Sequence, residues 1–134
     1  MMTSRVTYLG ELRTKCEHER SGANFITDAP VDNQGKGEAF SPTDTVATAL
    51  ASCMLTIIGI KGRDHDLRLE GTYAQVTKTM ASDPRRISGI GIDIHFQAVL
   101  NEKDRLVLER AARTCPVFYS IHPDIVVDLN FHYD

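Results

Sequence analysis

The chain of 134 residues has no tryptophan, and no two of its three cysteines stand in a C-x-x-C spacing. Cys16, Cys53 and Cys115 are odd in number and far apart, which argues against a secreted disulfide framework and against a structural zinc site. A basic surplus is also missing. Lys and Arg number 15 against 18 Asp and Glu, for a formal net charge of -3. Such a chain has little with which to neutralise phosphates, so nucleic acid is not an expected partner. Residues 1–20 carry Arg5, Glu11, Arg13, Lys15, Glu17, Glu19 and Arg20 and lack the apolar core of a signal peptide. The longest uncharged stretch, Thr45 to Ile60, is 16 residues with three threonines, a serine and a glycine. A bilayer span wants about 20 mostly apolar residues, so no membrane segment is expected. The thiols are read as reduced and the protein as cytoplasmic. No internal repeat, low-complexity tract or linker is evident.

What is present is ordinary globular material, with 42% hydrophobic and 25% charged residues. It predicts one domain over residues 1–134. Arg5 to Leu9 and Ala23 to Thr27 read as short strands flanking a charged reversal at Arg13 to Gly22. Asp28 to Glu38 reads as a loop, punctuated by Pro30, Asn33, Gly35 and Gly37. Ser41-Pro42-Thr43-Asp44 then reads as a helix start: Ser41 caps, Pro42 suits the first helical position, and Asp44 closes a capping box. Apolar residues in the helix that follows, from Val46 to Ile60, go all the way round. A helix apolar on every side asks to be buried on every side. One short subunit does that with difficulty, which is a first indication of a dimer.

Gly62 to Asp66 should break this helix. Leu67 to Met80 reads as a strand with a bulge near Tyr73. Ile90, Ile92, Ile94, Phe96 and Ala98 alternate with polar or small residues, the period of a half-buried strand. Asn101 caps a second helix with Leu108, Ala111, Ala112 and Cys115 on its apolar face, and Pro116 ends or kinks it. Val127, Leu129, Phe131 and Tyr133 mark a closing strand. The order β-β-α-β-β-α-β predicts an α+β domain with antiparallel pairing.

Each cysteine has two readings. Cys53, in the middle of the apolar helix, is either a small core residue or a reactive thiol. It lies too far from the helix N-terminus for the dipole to activate it. A reactive Cys53 therefore needs a cation nearby, and an Arg suits because it stays charged when desolvated. Cys115 faces inward before Pro116; if Pro116 opens a new turn, free backbone N–H groups lie beside the sulfur. Cys16, in the charged reversal, reads as an incidental surface thiol. Asp93, His95 and His132 fall on one strand face, expected to be a solvated polar surface rather than a metal site. His18, His65 and His122 are conceivable partners of a hydrolytic Cys53, but no local motif supports them.

Three segments together carry a family resemblance: Gly35 to Asp44 (GKGEAFSPTD), Thr48 to Met54 (TALASCM) and Ala111 to Val117 (AARTCPV). With the strand order, they resemble the OsmC/Ohr family over nearly the whole chain. The resemblance implies an intertwined homodimer, with antiparallel sheets around two buried central helices. It implies thiol-dependent reduction of organic hydroperoxides, with Cys53 as peroxidatic and Cys115 as resolving cysteine. It implies that an Arg of the first hairpin holds the thiolate; Arg13, nine residues before Gly22, has the expected spacing, and Arg20 is the fallback. No bound cofactor or metal is implied, only an external dithiol reductant, which in the Ohr branch is lipoylated protein. Phe25, Phe40, Phe118 and Tyr119 are the available walls of a substrate pocket. The chain departs from the family at Thr43, where a catalytic Glu is usual. Asp44 does not replace it, because nine steps of about 100° place it half a turn away from Cys53. Two alternative readings stand beside this one: a non-catalytic small-molecule-binding protein, which the missing Glu would mark, and a redox sensor, in which one oxidation event alters a partner surface.

Overall fold

A computed structural model describes residues 1–134. It divides into two compact units, Met1–Val46 and Ala47–Asp134.

The N-terminal unit is a sheet of three strands in the order β1 (Ser4–Gly10), β2 (Arg13–His18), β3 (Asn24–Asp28), all antiparallel. The segment read from sequence as a charged reversal thus contains strand β2. Its alternation was hidden because the residues on both of its faces are polar or small. Cys16 accordingly lies on a strand and not in a reversal. It is half-buried in the middle of β2, in register with Val6 on one side and Phe25 on the other. After β3 the chain makes a 3-10 turn at Val31–Asn33. Gly35 is obligatory there: a Cβ at that position would lie 1.7 Å from the Ala29 carbonyl oxygen. Within this unit only Thr27, Asp28 and Ser41 are buried, and none of them is hydrophobic.

The first helix, α1, runs Pro42–Asp64. Its start matches the capping expectation: the Asp44 N–H donates to Ser41 Oγ at 3.1 Å, and the Ser41 N–H donates to Asp44 Oδ2 at 3.0 Å. The helix ends at Asp64, within the Gly62 to Asp66 segment expected to break it, though not at Gly62. Gly62 is buried inside it, where a Cβ would meet Leu69 Cδ1 at 2.5 Å, so the glycine admits the returning chain. By length and hydropathy α1 is able to cross a bilayer, yet Leu50, Ala51, Met54 and Ile58 are buried in the core. The helix is not covered on every side within the chain; Val46 and Ile60 remain exposed.

The second unit holds a sheet in the order β4 (Tyr73–Ala81), β5 (Arg86–Phe96), β6 (Val126–Tyr133), with α2 (Glu102–Ala112) and α3 (Pro116–Ser120) between β5 and β6. Strand β4 begins at Tyr73 rather than Leu67, and its bulge falls at Thr79/Met80 rather than near Tyr73. Antiparallel pairing holds for β4–β5 but not for β5–β6, which is parallel. The reason is the helical crossover between the two strands, the connection that parallel strands require. The central strand turns Ile90, Ile92, Ile94 and Phe96 inward, where they form one cluster with Leu50, Met54, Ile58, Leu108 and Cys115. The fold is α+β, with one strand and one short helix more than expected.

Candidate active site

In the N-terminal unit, β2 and β3 place Arg13 directly opposite Asp28. Cross-strand partners project to the same face, so the two side chains meet. The guanidinium grips the carboxylate with two hydrogen bonds, Nε to Oδ1 at 2.7 Å and Nη2 to Oδ2 at 2.8 Å. Nη2 also donates to Glu38 Oε1 at 2.8 Å, and the Glu38 backbone N–H donates to Asp28 Oδ2 at 3.1 Å. Asp28 is almost fully buried, whereas the Glu38 side chain is 66% exposed. The Arg13 guanidinium holds the Asp28 carboxyl below the ordinary carboxylate range, and the two carboxylates raise Arg13 above its already high value. Sequence reasoning picked Arg13 but missed Asp28 and Glu38, which read as loop residues. The glycines of the GKGE segment were the available signal. Gly35 passes against Ala29, and Gly37 has φ +63° against Val31, an approach that brings the Glu38 N–H onto Asp28. Arg20, the fallback cation, makes none of these contacts.

In the second unit, Cys53 comes from the middle of α1 and Cys115 from the junction of α2 and α3. The fold packs these thiols, 62 residues apart in sequence, against one core cluster, near enough for Cys53 to bear on the titration of Cys115. Both are free thiols; Cys115 is fully buried, and Cys53 is half-buried against the same core. Cys115 has an extended backbone and caps α3, its sulfur accepting the Phe118 N–H at 3.4 Å. Pro116 does open a new helical turn. The donors there do not win, however: burial first, and then the neighbouring Cys53, push the Cys115 thiol up from the ordinary 9.0. Cys115 is therefore a protonated thiol at neutral pH.

The aromatic residues expected to line a pocket fall in both units. Phe25 lies on β3 and Phe40 just before α1, and both are about half exposed. Phe118 packs on the core beside Cys115, and Tyr119 meets it edge-on with 6.3 Å between ring centroids. Thr43, at the position of the family's carboxylate, lies 3.3 Å from the Ser41 hydroxyl. No histidine hydrogen-bonds a cysteine: His18 bonds Ser21, and His122 accepts the Asp124 N–H. Asp93, His95 and His132 do share a sheet face. Their groups bond each other and close neighbours, with His132 Nε2 to Asp93 at 2.9 Å, His95 Nε2 to Gln75 at 3.1 Å, and the two imidazoles stacked.

A half-buried thiol on α1 and a buried one capping α3 pack on one core in an α+β chain. The family description "OsmC-like protein" matches residues 35–130, and the chain belongs to that family. Among solved structures, one from Psychrobacter arcticus 273-4, described as a proposed osmotic stress induced and detoxification response protein, shares 58% sequence identity. It superposes with a TM-score of 0.96 over 98% of this chain and 96% of that one. The OsmC organic hydroperoxide resistance protein of Legionella pneumophila gives a TM-score of 0.76 at 17% identity, covering 98% of each chain. An organic hydroperoxide resistance protein of Elizabethkingia anophelis gives 0.77 at 14% identity, covering 100% of this chain and 98% of that one. At such low identity these last two share the fold. No sequence among the curated proteins matches the chain.

Proposed function

We propose that the protein is a cysteine-based peroxidase that reduces organic hydroperoxides, with Cys53 as the peroxidatic and Cys115 as the resolving residue. The observation that supports this reading is that two free thiols, from α1 and from the α2–α3 junction, pack on the same core cluster. The Cys53 thiolate attacks the terminal peroxide oxygen. The O–O bond breaks, Cys53 becomes a sulfenic acid, and the alkoxide takes a proton to leave as the alcohol. Cys115 then attacks the sulfenic sulfur; a disulfide forms and the hydroxyl departs as water with the Cys115 proton. An external dithiol, a lipoylated protein by family resemblance, restores both thiols and is itself oxidised. Arg13 is the cation proposed to favour the thiolate. Phe25, Phe40, Phe118 and Tyr119 are proposed to receive the alkyl group. The apolar core against which Cys53 packs favours an alkyl over a hydrogen peroxide.

The working form is proposed to be a homodimer in the cytoplasm, without nucleic acid or membrane partners. Support comes from the N-terminal unit, which buries no hydrophobic residue and leaves Val6, Tyr8, Leu9 and Phe25 more than half exposed. Reacting the reduced protein with tert-butyl hydroperoxide and measuring its mass tests the chemistry. Loss of two hydrogens, mapped to a Cys53–Cys115 peptide and reversed by dihydrolipoamide, is expected. Oxidation that no dithiol reverses would favour the redox-sensing reading. An unmodified Cys53 would remove both.

A further inference from the structure

We propose that Glu109 is the positioning residue of the resolving thiol: by gripping Tyr133 it clamps α2 to the end of β6, and so presents Cys115, just beyond α2, where a disulfide can close. This inference rests on the peroxidase reading for its chemistry, in which Cys115 attacks an oxidised Cys53.

Tyr133 ends β6, and three contacts hold it. Its ring stacks on the fully buried Phe96, with 5.1 Å between centroids and 5° between planes. The Arg105 guanidinium also lies over the ring, 4.1 Å from its centroid. The hydroxyl donates to Glu109 Oε2. Burial and the Glu109 carboxylate push the phenol up, so it stays a neutral donor at neutral pH. Arg105 and Glu109, four residues apart, are neighbours on one face of α2. Arg113, four further on, lies over the Phe131 ring at 5.5 Å. The spacings suit each other, because four helical residues rise about 6 Å and two strand residues about 6.7 Å. The residues that α2 buries are Leu108, Ala111 and Ala112. Two alanines interdigitate little, so this face leaves the register of the helix open, and the directional bond to Tyr133 sets it.

From Glu109 the constraint reaches Cys115 through the hydrogen-bonded end of α2. The Arg113 N–H donates to the Glu109 carbonyl at 3.3 Å, and the Thr114 N–H and hydroxyl both donate to the Ala111 carbonyl at 3.1 Å. Cys115 follows directly and caps α3. A shift of α2 along β6 therefore moves the Cys115 sulfur. Closure of a disulfide feels such a shift, since it needs Cα atoms within roughly 7 Å and a narrow range of dihedral angles. Attack of a hydroperoxide on Cys53, which α1 carries, does not depend on the register of α2.

The test measures the two steps separately in wild type, Glu109→Ala, Glu109→Gln and Tyr133→Phe. Parallel samples treated with tert-butyl hydroperoxide are trapped with dimedone for the sulfenic acid, or acid-quenched and weighed for the disulfide. In Glu109→Ala the sulfenic acid should form at the wild-type rate while closure slows about tenfold, inside the ~100-fold that a misplaced reacting group can cost. The waiting sulfenic acid then takes an oxygen from a second hydroperoxide, which leaves as the alcohol, and sulfinic acid accumulates. Tyr133→Phe removes only the hydroxyl and should show the same split. Glu109→Gln keeps an acceptor for that hydroxyl and should recover most of the closure rate. A merely structural Glu109 would lower the thermal midpoint and leave both rates unchanged; that result overturns the proposal. If Glu109→Ala does not fold, Tyr133→Phe decides by the same split. Diamide, an azo oxidant that takes the two thiol hydrogens and becomes a hydrazine, closes the disulfide without hydroperoxide. At saturating diamide, a wild type inert to hydroperoxide that still closes faster than Glu109→Ala ends the peroxidase reading and supports the positioning role. Equal diamide rates, or no Cys53–Cys115 disulfide in either protein, overturn that role.

Discussion

At the residue scale, the two cysteines have different environments, which fit the different duties proposed for them. Cys115 is sealed in the core cluster and its thiol is pushed up by burial, which suits the proposed role of a thiol that waits for a sulfenic acid. Replacing it should separate the two steps. With Cys115→Ser, tert-butyl hydroperoxide is expected to add one oxygen to Cys53 instead of closing a disulfide, read as a mass gain trapped by dimedone. The raised thiol also predicts how stability varies with pH. Folded Cys115 keeps its proton at a pH where the unfolded thiol has lost it, so the native state binds more protons and stability falls as pH rises above about 9. Denaturant titrations at pH 8 and pH 10 should show that fall, and Cys115→Ser should reduce it. Tyr133, raised by burial and by its bond to Glu109, adds to the fall at still higher pH. Both cysteines were legible in the sequence because each sits in an apolar pattern. Asp28 was not, since its role depends on strand register with a residue fifteen positions away.

At the scale of elements, legibility followed the strength of the local code. The start of α1 was readable because Ser41, Pro42 and Asp44 are capping signals that act within one turn. Ser41→Ala is expected to cost about 1 kcal/mol in urea or guanidinium unfolding, the usual value of a lost cap. A loss far above that would mean that Ser41 does more than cap. Strand β5 was readable from the alternation of Ile90, Ile92, Ile94 and Phe96. The direction of β6 was not: its alternation marks a strand but says nothing of orientation, which the crossover through α2 and α3 decides. Strand β2 was missed because Arg13, Lys15 and Glu17 alternate with Thr14 and Cys16, so neither face is plainly apolar.

For the whole molecule, the contrast between the two units is the informative feature. One has a continuous core from Ala47 to Cys115, while the other buries only Thr27, Asp28 and Ser41. A three-stranded sheet with Val6, Tyr8 and Phe25 exposed does not stand alone in water. Sedimentation should therefore give twice the chain mass at micromolar concentration. Tyr8→Asp is expected to shift the population towards monomer and lower the hydroperoxide rate with it. A wild type that sediments as monomer while fully active would refute the homodimer. The resemblance of the chain to its family was visible from three short segments, but the missing core of the first 46 residues became visible only once burial was known.

Cys115 occupies the hinge between two helices, and its sulfur receives the Phe118 N–H. Should the proposed disulfide form, the Cys115 sulfur would exchange this donor for Cys53, and the five-residue turn of α3 with its Phe118–Tyr119 ring pair is expected to adjust. Tyr119 is 72% exposed, and no indole absorbs nearby. The proposed oxidation of an interior sulfur is then expected to be read on the outside as a tyrosine near-ultraviolet dichroism band that changes on peroxide addition and returns with the dithiol. In Cys115→Ser that optical signal should be silent.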